Sequence, residues 1–351
     1  MRLALPEDAV AVRDGLRDVL EAECPPSVLR AAWDGEAAWR PLWATLGAFG
    51  VPGLLLPEAS GGLGCDEVLL VAAAEELGYV AAPGPLVETI AVVVPLLGEA
   101  GDPAGLLAGL LAGRLAATCR HLTAVHSGTE HPAAEHPVSG HLVEAPLVPH
   151  AQESDLVLLV VGDEARLLRR DEVSVEPLST VDAARRCGRV SALGSGTLLD
   201  VDAAAIGTAA ARATLATAAA LVGLSARMLH LTTRYVCERR QFGVPVGSFQ
   251  AVKHQLADAL VAVEFARPVV LRAAWSLARQ EAGADCHLSM AKAMASEAAT
   301  GVARAAIQCH GAMGYTVEYD LHLFVKRAWA LAADWGSASE HVGHVARALW
   351  A

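Results

Sequence analysis

From about residue 203 to its end, this sequence is a succession of Ala/Leu-rich stretches at helical spacing, interrupted by glycine-containing turns at 235–250 and 307–319. Small side chains let helices approach closely, so the pattern suits an antiparallel helical bundle. Residues 1–118 also read as helical: Val12, Leu16, Val19 and Leu20 recur at helical spacing, as do the apolar residues of 68–77. Gly- and Pro-rich joints at 50–64 and 81–85 separate these helices. Residues 119–202 change character. Asp155-LVLLVV-Gly162-Asp163-EARLLRR, residues 155–170, is a hairpin signal with Gly162-Asp163 at the turn, and short strands are expected at 173–178 and 197–201. The expected fold is α+β and mostly α: an N-terminal helical domain (1–118), a reduced middle β domain (119–202) and a C-terminal helical bundle (203–351).

The bulk numbers exclude several function classes. The 351 residues carry a formal charge of −12 with no basic tract, which argues against nucleic-acid binding. The longest apolar run noted, Ile90 to Leu97, is short and contains Pro95, so no membrane span is expected there. Seven scattered cysteines without C-x-x-C spacing read as reduced thiols, and no export signal opens the chain, so a cytoplasmic protein is expected. His121, His126, His131, His136 and His141 recur every five residues, a period that matches neither a helix face nor a strand face. No tetrahedral ligand spacing emerges from them, and a polar loop is the expected reading. Gly194-Ser195-Gly196 lacks the third glycine and the βαβ setting of a dinucleotide fingerprint.

The most informative stretch is YVCERRQFGVPVGSFQ, residues 235–250. A helix is expected to stop here, with Gly243 as a flexible end and Pro245 barring continuation. Arg239, Arg240, Gln241 and Phe242 stand at that end. Planar cations, an amide and an aromatic ring suit a diphosphate joined to a flat ring system. A solvated basic helix end with a core phenylalanine is the alternative. The second stretch, IQCHGAMGYTVEY (307–319), runs from Gln308 and His310 into a turn with Gly311 and Gly314.

Together these segments resemble the acyl-CoA dehydrogenase family, whose C-terminal domain carries an R-x-Q-F-G…F-Q motif and a later Q-x-x-G-G-x-G-Y/F motif. They are matched here by Arg239, Gln241, Phe242, Gly243, Phe249 and Gln250, then Gln308, Gly311, Gly314 and Tyr315, with Ala312 where the family often has a second glycine. Trp43 to Gly64 resembles the family's helix, turn and P-E-x-x-G-G-x-G segment, and Glu75-Glu76-Leu77-Gly78 its E-E-L-G helix end. Motifs in this order, so far apart, are specific together where each alone is weak.

The resemblance implies an FAD-dependent oxidoreductase of lipid β-oxidation that converts an acyl-CoA thioester to its 2,3-enoyl product. A carboxylate takes the α-proton and the cofactor is the electron sink. Carried over by motif, Arg239 binds the flavin diphosphate, Gln241, Phe242, Phe249 and Gln250 line the adenosine side, and Gln308 and Gly311 approach the cofactor through an amide and bare backbone. The family's base is less well matched. Its commoner place, a Y-E-G-T-like segment, falls on Asp334-Trp335-Gly336-Ser337, with Trp335 at the glutamate's position. Indole accepts no proton at neutral pH. The other place, 26 residues before Arg239, is Ala213, and no carboxylate lies between Ala203 and Val236. Asp334 is one residue off and one methylene short, and is expected to cap the following helix or face solvent. The family's T-E-P-x-x-G-S ring-binding segment is also unmatched in 116–140; Thr118-Cys119-Arg120-His121 and Ser127-Gly128-Thr129-Glu130 are poor substitutes. No residue of this chain is assigned as catalytic.

Each flavin in the family lies between subunits, so a chain without its own base still completes a partner's site. These vacancies resemble the shorter chain of heteromeric enzymes of the actinobacterial steroid side-chain type, α2β2 assemblies with one flavin per heterodimer. The partners implied are a larger acyl-CoA dehydrogenase subunit, an acyl-CoA substrate and an electron-transfer flavoprotein as acceptor. Two other readings stay open: a homo-oligomeric flavoenzyme with an unusual base, and a flavin-free structural homologue.

Overall fold

The computed structural model of the protein describes residues 5–122 and 144–350. Its chain opens with α1 (Glu7–Glu23), α2 (Pro26–Trp33), α3 (Arg40–Phe49) and α4 (Glu67–Tyr79). A wide helical turn at Glu88–Val93 leads into α5 (Val94–Glu99), followed by α6 (Leu107–Leu111). Among the described residues seven strands follow: β1 (Ala117–Leu122), β2 (Glu144–Val148), β3 (Leu156–Val161), β4 (Glu164–Arg169), β5 (Val173–Pro177), β6 (Gly188–Ala192) and β7 (Thr197–Leu199). Then come α7 (Ala203–Glu238), β8 (Arg240–Gln241), β9 (Val244–Pro245), α8 (Gln250–Ala278), α9 (Ala284–His310), α10 (Leu321–Ala333) and α11 (Ala338–Trp350). The α+β, mostly helical expectation is met. Residues 90–97 form buried helix, as their shortness and Pro95 imply. The helix α7 has the length and apolarity of a membrane span, but most of that apolar stretch is buried within the protein, as in a core helix.

The chain divides into two compact units. The first comprises Met1–Leu42, Cys65–Ala82 and Ala211–Ala351. Its helices touch through small residues. On α9, Ala291, Ala295, Ala299, Val302 and Ala306 form a buried stripe at helical spacing, and α8 offers Ala259, Val263, Ala266, Val270 and Ala273. Glycine permits the closest approach: a Cβ on Gly78 of α4 would run into the backbone of Ala220, and one on Gly223 of α7 into that of Glu75 and Tyr79. Three arginines fasten α4 to its neighbours. Arg17 of α1 forks onto Glu76 at 2.6 and 3.1 Å, Arg212 of α7 meets Glu67 at 2.8 Å, and Arg267 of α8 meets Glu75 at 3.0 Å. Backbone this close cannot move aside as a flexible side chain can. Gly223→Val is therefore expected to lower stability by about 3 kcal/mol, or to block folding, because overpacking has no relief there. Gly207→Ala, whose Cβ meets nothing within 4 Å, is expected to be near neutral. Urea unfolding of both variants checks this, and equal effects would contradict it.

The second unit comprises Trp43–Gly64 and Pro83–Ala210. It holds a four-stranded sheet of order β1-β3-β4-β7 and a three-stranded sheet of order β2-β6-β5. The β3–β4 hairpin is the one expected, running in register from Leu156↔Arg169 to Val161↔Glu164. β1 joins β3 in parallel, and every other pairing in the two sheets is antiparallel. A core of Ala145, Val148, Val157, Leu159, Leu168, Val173 and Val190 joins side chains of both sheets. β1, β2 and β6 were not singled out in the sequence; β1 carries Arg120 and His121, and β6 carries Arg189, which obscure the strand signal.

Candidate functional site

A helix does end in the 235–250 stretch, but before Gly243, and a hairpin follows it. The α7 helix stops at Glu238, and residues 240–245 form a tight hairpin in which Arg240 faces Pro245 and Gln241 faces Val244. Its two corner residues are Phe242 at φ 53° and Gly243 at φ 82°. A two-residue turn of this hand needs positive φ at both corners, which glycine supplies freely and phenylalanine does not. Side chains lock the strained turn. Arg240 donates to the Gly243 carbonyl at 2.9 Å, Ser248 to that of Pro245 at 2.7 Å, and the Val246 N–H returns to the Arg239 carbonyl at 2.8 Å. Gln241 turns its amide N–H back to the Arg240 carbonyl at 2.7 Å.

The locked turn presents Arg239 and Phe242 outward. Phe242 is 92% exposed and meets half-exposed Phe249 edge to face at 6.2 Å. Arg239 is exposed, and its guanidinium has no hydrogen bond or ion pair among the described residues. Helix α8 starts at Gln250, also exposed, and its N-cap residue Phe249 offers no side-chain acceptor to the first-turn N–H groups. An unengaged arginine fork beside an uncapped helix N-terminus is a fitting receptor for a phosphate group.

The second segment lies at the C-terminus of α9. Gly311 adopts φ 59° and ψ −132° and is exposed, with open space where a Cβ would stand. Gly314 is buried, and a Cβ there would meet the Ile307 carbonyl at 2.7 Å, so the turn needs this glycine. Gln308 and Ala312 are exposed. Contacts join this turn to the end of α7 and to the first turns of α8. Tyr235, in the last turn of α7, stacks on His310 with ring centroids 4.2 Å apart, and Cys309 approaches Gln255 of α8 at 3.6 Å. These contacts bring together the end of α7, the start of α8 and the end of α9, the elements that carry or border Arg239, Gln241, Phe242, Phe249, Gln250, Gln308 and Gly311. His310 and Tyr235 were not among the expected site residues; their contact spans 75 positions.

The segment resembling the family's base-bearing loop is also rigid. Trp335 sits at φ 53° and Gly336 at φ 95°. The Lys292 ammonium from α9, with 0% exposure, donates to the carbonyls of Ala332 (3.2 Å) and Gly336 (2.8 Å) and to the Ser296 hydroxyl (3.0 Å). His341 of α11 reaches the Trp335 carbonyl through Nε2 at 2.9 Å and Ser289 through Nδ1 at 3.3 Å. A carbonyl only accepts, so Nε2 carries the proton. Burial pulls the Lys292 pKa down to about 8, against the opposing pull of Asp334 and Glu340. Burial likewise lowers that of His341. Asp334 does not cap the next helix: Ser337 and Glu340 do so reciprocally, with Ser337 N–H donating to Glu340 at 2.7 Å. Asp334 instead closes α10, its N–H bonded to the Leu331 carbonyl.

At the family's other base position, Ala213 is fully buried. Its chain neighbour Arg212 pairs with Glu67 of α4 at 2.8 Å. Sequence spacing along α7 alone does not reveal it. Thr118 turns inward and donates to the Pro149 carbonyl at 2.6 Å. His126, His131, His136, His141 and Ser127-Gly128-Thr129-Glu130 lie outside the described residues.

Comparison with known proteins bears on the family and the fold. Residues 6–104 match the acyl-CoA dehydrogenase N-terminal domain, and residues 204–350 the acyl-CoA dehydrogenase C-terminal domain. The acyl-CoA dehydrogenase IpdE2 of Mycolicibacterium smegmatis is 30% identical over 338 residues, covering 96% of this chain and 97% of that one. The ChsE4-ChsE5 complex from Mycobacterium tuberculosis contains a similar chain, with TM-score 0.84 and 25% identity over 99% of both. The Tcur3481-Tcur3483 steroid acyl-CoA dehydrogenase contains another, with TM-score 0.82 and 25% identity over 99% of this chain and 98% of that one. Two ordered motif segments gathered at one end of a helical bundle and full-length likeness to known members lead to one conclusion: this chain belongs to the acyl-CoA dehydrogenase family, the oxidoreductases of acyl-CoA thioesters.

Proposed function

We propose that this chain is the shorter subunit of a heteromeric, FAD-dependent acyl-CoA dehydrogenase, and that it completes the flavin site of a larger partner subunit while supplying no base. The observation that supports the proposal is an unengaged arginine beside an uncapped helix start, in a chain with indole and alanine at the positions matching the family's two base places. Arg239 is free, its hairpin is locked, and the Gly311 turn is open, while Trp335 and Ala213 stand where a carboxylate is needed. Similarity to chains from two-protein complexes, one of them described as a steroid enzyme, supports a heteromer acting on a bulky acyl-CoA of the steroid side-chain type in the cytoplasm.

In this reading Arg239 holds the flavin diphosphate by charge-assisted hydrogen bonds, helped by the N-terminus of α8. Phe242, Phe249, Gln241 and Gln250 line the adenosine side, and Gln308 with Gly311 closes it. The flavin, when bound, supplies the hydride acceptor for the β-carbon. The proton acceptor for the α-carbon belongs to the partner, and electrons leave to an electron-transfer flavoprotein. The reading keeps the three-part division at 1–118, 119–202 and 203–351.

Trp335→Phe and Asp334→Asn test the missing base. In the assembled enzyme, flavin reduction in a single turnover is expected to stay within about twofold of wild type for both, since neither group takes part in proton transfer. A fall of two or more orders of magnitude with flavin retained would place the base in this chain.

A further inference from the structure

The two cofactor segments come from helix ends far apart in sequence, and one pair of rings registers them. Tyr235 lies in the last turn of α7, and its carbonyl receives the Arg239 N–H at 2.8 Å, so movement of Tyr235 moves Arg239. His310 is the last residue of α9, directly before Gly311. The rings stack at 4.2 Å with an interplanar angle of 23°, and the Tyr235 hydroxyl reaches the His310 carbonyl at 3.4 Å. Tyr319 closes a third side, 5.0 Å from His310 and 5.9 Å from Tyr235.

The imidazole is fixed on its own helix as well. Its Nδ1 lies 2.8 Å from the Ala306 carbonyl and therefore carries the proton, which leaves Nε2 as an acceptor. That Nε2 is buried and has no hydrogen-bond partner among the described residues. Burial also holds His310 below the usual histidine range, in its neutral form. A buried nitrogen without a partner costs free energy, so Nε2 makes no stabilising hydrogen bond within this chain. Beyond the Nδ1 bond within its own helix, the side chain meets α7 through its flat face.

We infer that Tyr235 and His310 are a positioning pair: their stack sets Arg239 against the Gly311 turn, and flavin affinity depends on it although neither ring is assigned a contact with the cofactor. This rests on the reading of Arg239 as the diphosphate ligand. The test is titration of FAD into the flavin-stripped assembled enzyme, followed by absorbance and fluorescence. His310→Ala is expected to weaken FAD binding roughly fivefold to tenfold, the scale of a lost aromatic pair. His310→Phe keeps a flat ring and is expected to restore affinity to within about twofold. Tyr235→Leu removes the stack from the other side, is expected to match His310→Ala, and decides the matter if the alanine variant fails to assemble.

Unchanged affinity in the His310→Ala or Tyr235→Leu enzyme, with Arg239→Ala weakened, overturns the positioning pair and leaves the diphosphate reading intact. Unchanged affinity in Arg239→Ala as well overturns that reading itself. Loss in His310→Phe equal to that in His310→Ala also overturns the inference, because it assigns the effect to the imidazole nitrogen and not to the ring.

Discussion

Arg239→Ala is expected to weaken FAD binding by the assembled enzyme roughly 10- to 100-fold, the range set by losing hydrogen bonds to a charged group. The side chain is exposed and makes no hydrogen bond or ion pair among the described residues, so the substitution removes little from the fold of this chain. Arg240→Ala is the informative neighbour. The Arg240 guanidinium is spent on the Gly243 carbonyl, so its loss loosens the hairpin without removing a ligand, and a smaller effect is expected. Arg239→Lys should recover only part of the affinity, because an ammonium lacks the fork that meets two phosphate oxygens at once. Equilibrium titration of FAD at fixed ionic strength checks all three. Equal losses at 239 and 240 would show that local charge, and not the fork at 239, is what counts.

The second large effect concerns Lys292 and pH. Its pKa of about 8 in the folded protein lies below the ordinary 10.5, because burial penalises the charged form. Between these values the unfolded chain binds the proton more tightly, so stability rises with pH from about 8 to about 10.5. The gain from this group is on the order of 3 kcal/mol. The tether to Ala332 and Gly336 survives deprotonation. A neutral amine keeps two N–H groups for the two carbonyls, and the Ser296 hydroxyl can turn its hydrogen to the lone pair. Lys292→Met keeps the length and removes the titration. Wild type is therefore expected to gain about 3 kcal/mol on the variant between pH 7.5 and 10.5, read by urea unfolding at each pH, while other alkaline titrations act on both proteins alike. Parallel pH profiles would contradict a buried ammonium at this position.

Much of the fold is legible in the sequence, and the reasons are local. The β3–β4 hairpin shows as two apolar runs around Gly162-Asp163, and the bundle shows as helical spacing of alanine and leucine. The motif segments were legible as residues but not as geometry. Gly243 and Pro245 suit a helix stop and a hairpin equally, and Phe-Gly lacks the Asn-Gly or Asp-Gly signature of a two-residue turn, so the positive φ of Phe242 was hidden. The tertiary supports were not legible at all. Lys292 reads as one lysine in an alanine-rich helix, and its burial depends on α10 and α11 arriving from 40 and more positions away. The ion pair of Arg212 with Glu67 and the stack of Tyr235 on His310 are likewise products of the fold. Trp335 was the opposite case: its departure from the family pattern is plain in the sequence, and the structure adds the clamp that holds its backbone.

The central claim is that this polypeptide contributes one side of a flavin site and none of the proton chemistry. Counting flavin per polypeptide tests it most directly, by absorbance of the released cofactor from this chain produced alone and from the complex formed when it is co-produced with a larger acyl-CoA dehydrogenase subunit. The account expects almost no flavin on the lone chain and one flavin for each pair of unlike subunits. One flavin per polypeptide on the lone chain, with turnover of an acyl-CoA, would contradict it.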